Sequence, residues 1–162
     1  MFDPNFLLDA YIRDFKKDCE FIARLNYVLD LDPSKYHFTA SGIVVDNDRV
    51  LLIFHRYLNK WLHPGGHIEN EEEPHQAAQR EVLEETGWYT TLINGNGPLD
   101  VDIHIIPDNP IKSQPEHWHI DFAYLLKPLE QVTPTDPELS RWFKFDEIEN
   151  IRIRKSLNGL KI

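Results

Sequence analysis

The 162-residue chain holds one cysteine, Cys19, so an internal disulfide framework is excluded. No run approaches the ~18–20 consecutive apolar residues that a membrane span needs. The opening Met1-Phe2-Asp3-Pro4 has neither the basic n-region nor the apolar h-region of a secretory signal. These absences lead us to expect a reducing, cytoplasmic location and no membrane partner. Basic residues are the minority, 17 Lys and Arg against 27 Asp and Glu, for a formal charge of -10. Such a surface repels polyphosphate chains and acidic membranes unless a basic patch or metal ions intervene. No basic stripe or RNA-binding motif is present, so a nucleic-acid partner is not expected. Internal repeats and low-complexity segments are missing too. What is present is ordinary for one globular domain: 41% hydrophobic, 12% aromatic and 27% charged residues. A chain of this length buries roughly two thirds of its unfolded surface, so its core is sufficient.

Asp3-Pro4 reads as a helix N-cap followed by proline at the first helical position. Leu8, Tyr11, Ile12, Phe15, Cys19, Ile22 and Leu29 recur at helical spacing, which predicts one helix ending before the turn-rich linker 30–34. Its apolar stripe, Cys19 included, needs covering by the domain itself or by a second copy, so a homodimer is compatible with the sequence. Strands are expected at 37–45, 50–56, 88–93, 101–106, 117–126 and 141–143, and a loop at 61–66 around Pro64-Gly65-Gly66. A helix is expected from 73 or 74 to 86, stopped by Gly87, and a closing helix from 146. The segment 107–115, with three prolines, reads as an exposed loop. Strands interspersed with helices imply mixed α and β layers. The organisation we expect is an N-terminal helical extension with linker over 1–33, then a domain over 34–162.

Chemistry concentrates between Gly66 and Trp88. At 100° per residue, Glu81, Glu84 and Glu85 fall within about a 100° arc of their helix. Like charges at that spacing repel by some tenths of a kcal/mol per exposed pair, and by more when desolvated. Ala78, Val82 and Thr86 occupy the neighbouring arc and can pack inward, which puts the carboxylates at a rim rather than opposite the core. Hard divalent cations choose carboxylate oxygens, and carbonyls of a tight Gly65-Gly66 turn can add ligands through close approach. Arg80, four residues before Glu84, can orient that carboxylate. A solvated acidic helix face is the competing meaning of the same run.

The segment resembles the Nudix box, Gly-x5-Glu-x7-Arg-Glu-U-x-Glu-Glu-x-Gly-U with U a bulky apolar residue. Gly66, Glu72, Arg80, Glu81, Glu84, Glu85 and Gly87 match, Val82 fills the first apolar place, and Trp88 stands where an aliphatic residue is usual. Seven fixed identities arise by chance in a chain this long roughly once in a million. The likeness extends loosely over 38–151 and leaves the N-terminal helix outside. The resemblance implies an α/β (α+β) fold, a Nudix-like α/β/α sandwich with a mixed sheet and an added N-terminal helix. It implies hydrolysis of a nucleoside diphosphate linked to another moiety, by water attack on phosphorus. Candidate substrates are nucleoside triphosphates, nucleotide sugars such as ADP-ribose, dinucleoside polyphosphates and non-nucleotide diphosphates. Carried over by position, Glu81 and Glu85 are the principal Mg²⁺ ligands (Mn²⁺ as the alternative), Glu84 a third or water-mediated one, and the Gly65 or Gly66 carbonyl completes the set. Arg80 orients the glutamates and Glu72 is structural or an outer partner. A non-catalytic nucleotide-binding or regulatory module on the same fold is the competing function, although such a module is expected to have lost box glutamates.

Outside the box, His117, His119 and Asp121 alternate with Trp118, Ile120, Phe122, Tyr124 and Leu126 along one predicted strand. The polar face is a cleft wall or a wet outer face, and His-x-His-x-Asp is a pattern that suits a transition metal. Glu116, His119 and Asp121 are candidates for a general base or an extra ligand. Trp61, His63 and His67, beside the glycine turn, are candidates for stacking on a base or touching phosphate, with a core role for Trp61 and a bystander role for His67 as the alternatives. His37, His55, His75 and His104 carry no functional expectation.

Overall fold

The computed structural model describes residues 3–15, 18–93, 95–110 and 113–158. The first helix, α1 (Pro4–Phe15), starts as its sequence predicts: the Asp3 carboxylate accepts the Asn5 and Phe6 N–H groups at 3.0 and 3.4 Å. The single helix expected to reach residue 29 is two helices. Asp18 accepts the Phe21 N–H at 2.9 Å and caps a separate helix, α2 (Cys19–Leu29), so the helical phase restarts there. Cys19 moves with that restart; it is exposed on the first turn of α2, not in the core. The buried stripe is Leu8 and Tyr11 of α1 with Leu25 and Val28 of α2, while the side chain of Phe15 lies outside the described residues.

A 3-10 turn at Pro33–Lys35, whose Ser34 N–H is held by Asp32 at 2.9 Å, leads into the sheet. There follow β1 (Tyr36–Asp46), β2 (Arg49–His55), β3 (Lys60–Leu62), β4 (Gly65–His67), α3 (Pro74–Thr86), β5 (Trp88–Leu92), β6 (Asp100–Ile106), β7 (His117–Gln131), β8 (Ser140–Lys144) and α4 (Ile151–Asn158). The expected loop at 61–66 is therefore mostly two short strands, each too short to show alternation in sequence. They form because longer neighbours offer open edges: β3 pairs with β2, and β4 pairs with β1. The strand expected to stop at 126 continues to Gln131 by pairing with β5. The closing helix expected from 146 begins at Ile151, after a 3-10 turn at Phe145–Glu147.

The sheet is mixed. β1 and β7 run parallel at its centre, from Tyr36↔Trp118 to Val44↔Leu126, and the remaining pairings are antiparallel. Its two faces carry different cores. Ala40, Val44, Ile120, Phe122, Tyr124 and Leu126 pack under α1, α2 and α3. Ile43, Val45, Ala123 and Leu125 pack with Val50 and Leu52 of β2 and with Ile153 and Leu157 of α4. The apolar stripe of α1 and α2 is thus covered by the chain's own core. Each fully buried Leu, Ile or Val there contributes ~1.5–3 kcal/mol by leaving water.

Candidate active site

α3 is fixed at both ends. Pro74 occupies its first turn, and the Glu73 N–H donates to the Gln76 side chain at 3.0 Å. Gly87 ends it in the left-handed region at φ 76°. Ala77, Ala78, Val82 and Thr86 are buried against the sheet, which leaves Glu81, Glu84 and Glu85 along the rim of the buried stripe as their spacing predicts.

Arg80 ties this rim together. It grips Glu72 with two parallel contacts, Nε to Oε1 and Nη2 to Oε2, both 3.0 Å. Its Nη1 donates to Glu81 at 2.8 Å and Glu84 at 3.0 Å, and its Nη2 donates to the His67 carbonyl at 2.9 Å. Planar guanidinium geometry suits this many carboxylate partners, where a lysine ammonium does not. Burial pushes the Glu72 carboxyl upward, but hydrogen bonds from Arg80 and the Glu69 N–H hold it below its ordinary value. Glu81 is raised, first by burial, despite its Arg80 contact.

Glu85 has the most strained electrostatics. Among the described residues its carboxylate accepts one hydrogen bond, from Gly65 N–H at 3.0 Å. Burial first, then the charges of Glu81, Glu138 and Asp136, push its carboxyl up to about 8. A carboxyl whose folded pKa is raised binds its proton more tightly folded than unfolded, so stability falls as pH rises from about 4.5 to about 8. In EDTA-treated protein we expect the melting temperature of wild type relative to Glu85→Gln to decline across that window and to level off above it, measured by scanning calorimetry, the comparison cancelling the buried histidines whose lowered values act in the opposite direction. A flat difference between the two would show that Glu85 is not held as a desolvated acid.

Gly66 approaches from the other side. A Cβ there would lie 2.4 Å from Glu81 Oε1, so the bare backbone is what admits the carboxylate. Gly65 and Gly66 also line a cleft of about 590 Å³ on the opposite face of β1 and β7. His63, His119 and Asp121 line the same cleft, which makes the polar face of β7 a cleft wall. Asp121 is buried and saturated: it accepts from Thr39 at 3.1 Å, Ser41 at 2.8 Å and Arg152 at 2.8 Å. Burial pushes its carboxyl up, yet Arg152 and Ser41 hold it below the usual carboxylate range. His63 Nε2 is buried without a hydrogen-bond partner among the described residues, and burial takes the imidazole down to about 3.

Other expected residues stand elsewhere. Trp61 packs between Phe54 and Phe143, with ring centroids at 5.4 and 4.8 Å, and lines a neighbouring recess rather than this cleft. Glu116 is exposed just ahead of β7, five residues before Asp121 and so roughly 16 Å away along the strand. His67 is exposed, with Nε2 3.0 Å from His37 Nδ1. Two residues without any functional expectation enter the region, Arg152 from α4 and His37 of β1, while His117, expected with His119 in a metal-suited pattern, stands beside His37, His67 and His119. Arg152 had one available signal, an arginine inside an otherwise amphipathic closing helix. His37 had none, because only the parallel β1–β7 pairing brings it to His119.

Among comparisons with known proteins, a family model described as NUDIX domain matches residues 35–159. A probable DHNTP pyrophosphohydrolase of Lactococcus lactis subsp. cremoris is 42% identical over 94 residues, 57% of this chain and 55% of that protein. A human diphosphoinositol polyphosphate phosphohydrolase 3-beta is 56% identical over 106 residues, 62% of this chain and 57% of that protein. The chain thus spans a little over half the length of these curated relatives. The crystal structure of a NUDIX-family hydrolase from Clostridium perfringens superposes with a TM-score of 0.61 at 26% identity, covering 75% of this chain and 96% of that one.

Proposed function

The chain belongs to the NUDIX family, and from that premise we propose that it hydrolyses a diphosphate linkage in a small molecule, with Glu81, Glu84 and Glu85 holding a divalent cation. The observation that carries this reading is the start of β4, where Gly65 and Gly66 meet the Glu85 and Glu81 carboxylates on one side and line the cleft on the other. The donor set fits a hard cation such as Mg²⁺ or Mn²⁺: carboxylates whose protonation is favoured first by burial and then by neighbouring carboxylate charge, beside glycine backbone. When bound, the cation supplies neutralisation of the diphosphate charge and acidification of the attacking water.

The chain's own residues do the positioning. Arg80 holds the Glu81 and Glu84 carboxylates together, and Glu72 braces Arg80 through their paired contacts. Gly65 N–H fixes one oxygen of Glu85. Asp121, saturated by three donors, anchors Arg152 in the cleft wall and is better suited to that than to accepting a proton.

The cleft also speaks to substrate class. Ile53, Leu58, Leu62, Ile105 and Ile106 line it together with Arg152, Lys60 and His119. Its volume falls in the range of small-molecule sites. Apolar walls suit a flat heterocycle, whereas a polyol carrying many phosphates asks for a basic lining. We therefore place nucleoside triphosphates and pterin-type triphosphates, the class named for the Lactococcus relative, ahead of nucleotide sugars, dinucleoside polyphosphates and inositol diphosphates. The test is Mg²⁺-dependent turnover of a panel holding all of these, with products resolved by mass spectrometry. Release of pyrophosphate or phosphate from a heterocyclic triphosphate is the expected result. Binding without turnover of any member favours a non-catalytic module instead.

Gly66→Ala examines the start of β4. The added methyl meets the flexible end of Glu81 rather than backbone, so stability should change by less than about 1 kcal/mol. Displaced by that methyl, Glu81 should lose Mg²⁺ affinity by roughly 10- to 100-fold in calorimetric titration. Unchanged affinity would remove Glu81 from the ligand set.

A further inference from the structure

Four imidazoles gather where three neighbouring strands meet. β4 supplies His67, β1 supplies His37, and β7 supplies His117 and His119; one ring nitrogen from each lies within 4.8 Å of all the others. His37 and His119 are direct partners in the parallel ladder, and His67 is the cross-strand partner of Thr39, two residues from His37. The group therefore stands on rigid strands, on the face that carries Asp121. Two of its nitrogen pairs are already closer than van der Waals contact: His37 Nδ1 to His67 Nε2 and His117 Nε2 to His119 Nε2, each 3.0 Å.

We propose that His37, His67, His117 and His119 form a second cation site, one that takes a transition metal of the Zn²⁺ class through four imidazole nitrogens. Zn–N bonds of about 2.0–2.1 Å in a tetrahedron place neighbouring nitrogens roughly 3.3–3.4 Å apart. The 3.0 Å pairs and the 4.8 Å envelope bracket that edge, so changes in nitrogen separation of a few tenths of an ångström to about 1.5 Å convert the cluster into a ligand shell. His117 Nδ1 donates to the Pro115 carbonyl at 2.8 Å, which leaves Nε2 as the lone-pair atom facing the cluster. Metal-bound histidines are oriented by this kind of outer hydrogen bond. Neutral rings are the ligand form. His37 and His119 are held below the ordinary histidine value, by burial first and then by histidine neighbours. His104 stands beside the group but turns Nδ1 to Asp102 at 2.9 Å, so it supports the wall rather than completing the shell. Imidazole nitrogens select Zn²⁺, Cu²⁺, Ni²⁺ or Co²⁺ over Mg²⁺, which separates this site chemically from the carboxylate one. His67 is exposed, giving an ion an entry path, and His119 lines the cleft, so a bound ion sits at its edge.

Tag-free full-length protein, stripped with chelator and dialysed in excess Mg²⁺, is titrated with Co²⁺ and with Zn²⁺. One equivalent of each should bind, and the Co²⁺ complex should show the intense visible absorption of tetrahedral coordination, displaced by Zn²⁺. His37→Gln and His67→Gln should each weaken Zn²⁺ binding by more than the roughly 10- to 100-fold that loss of an outer partner costs, while Glu85→Gln should leave it unchanged. Both histidines lie at or near the surface, and melting in EDTA confirms that each variant is folded. Absence of stoichiometric Zn²⁺ binding, its persistence in both histidine variants, or its loss in Glu85→Gln overturns the site. These readouts need no substrate, so the outcome is independent of the hydrolase reading.

Discussion

Glu85→Gln should lower Mg²⁺-dependent turnover by at least about a hundredfold, the scale on which removal of one preorganised charge acts, while making the metal-free chain more stable. The two effects share one cause. Glu85 is a half-buried acid facing Glu81, Glu138 and Asp136 with a single donor to its carboxylate among the described residues, Gly65 N–H, to offset them. A glutamine keeps the shape and can still accept from Gly65, but it carries no charge to repel its neighbours or to hold a cation. In EDTA at pH 8 the variant should melt above wild type, by a margin that shrinks as pH falls from about 8 to about 4.5. With Mg²⁺ present, the ordering of melting temperatures should narrow or reverse, since only wild type gains from the ion. Steady-state rates on the best panel substrate, beside calorimetry with and without Mg²⁺, check both halves. Equal rates would remove Glu85 from the site, whatever the fold does.

Gly87→Ala should cost about 3–5 kcal/mol, among the largest effects of a single methyl in this chain, and lower the melting temperature by roughly 10 °C. Part of this, about 1–2 kcal/mol, is the left-handed backbone at φ 76° that an L side chain resists. The larger part is steric. A Cβ would lie 2.0 Å from the Val132 carbonyl oxygen, and that residue's N–H donates to the Gly87 carbonyl at 2.8 Å, so backbone must separate from backbone. Gly95→Ala is the matched control, with φ 80° and no atom within 4 Å of the added Cβ; it should show only the conformational part. The displaced segment also matters to the site. Asp136 and Glu138 N–H groups donate to the Glu84 and Glu85 carbonyls at 2.9 and 3.0 Å, so residues following Val132 cap the end of α3 that bears the carboxylates. Thermal denaturation of the pair measures the difference; similar losses in both would show that the Val132 contact yields without cost.

What could be read from the chain follows the range of the forces involved. The box, the Glu81–Glu84–Glu85 rim, the Asp3 cap and the Gly87 stop depend on residues within a few positions of one another, and the structure has them as their spacing predicts. The strand faces of β7 were legible for the same reason: alternation of Trp118, Ile120 and Phe122 with His119 and Asp121 needs no partner to be seen. The break at Asp18 was not, since an aspartate within a continuous apolar stripe reads equally as a surface position; its side chain's choice of the Phe21 N–H ended one helix and exposed Cys19. β3 and β4 exist only because β2 and β1 present edges. Likewise Arg152 meets Asp121 across 31 residues, and His37 meets His119 across 82, through pairings that leave no local trace.

One carboxylate joins the two ends of this fold. Asp100, on the edge strand β6, accepts the Tyr11 hydroxyl of α1 at 3.0 Å and the Arg152 Nε of α4 at 2.9 Å. The first and last helices lie over opposite faces of the sheet, yet they are neighbours in hydrogen bonding. In amide exchange they should therefore open as one cooperative unit, with similar protection, rather than fraying separately as chain ends commonly do. A truncation starting at residue 34 would thus reach the cleft without touching it: it takes the Tyr11 hydroxyl from Asp100, and with it part of what holds Arg152 in place beside Asp121.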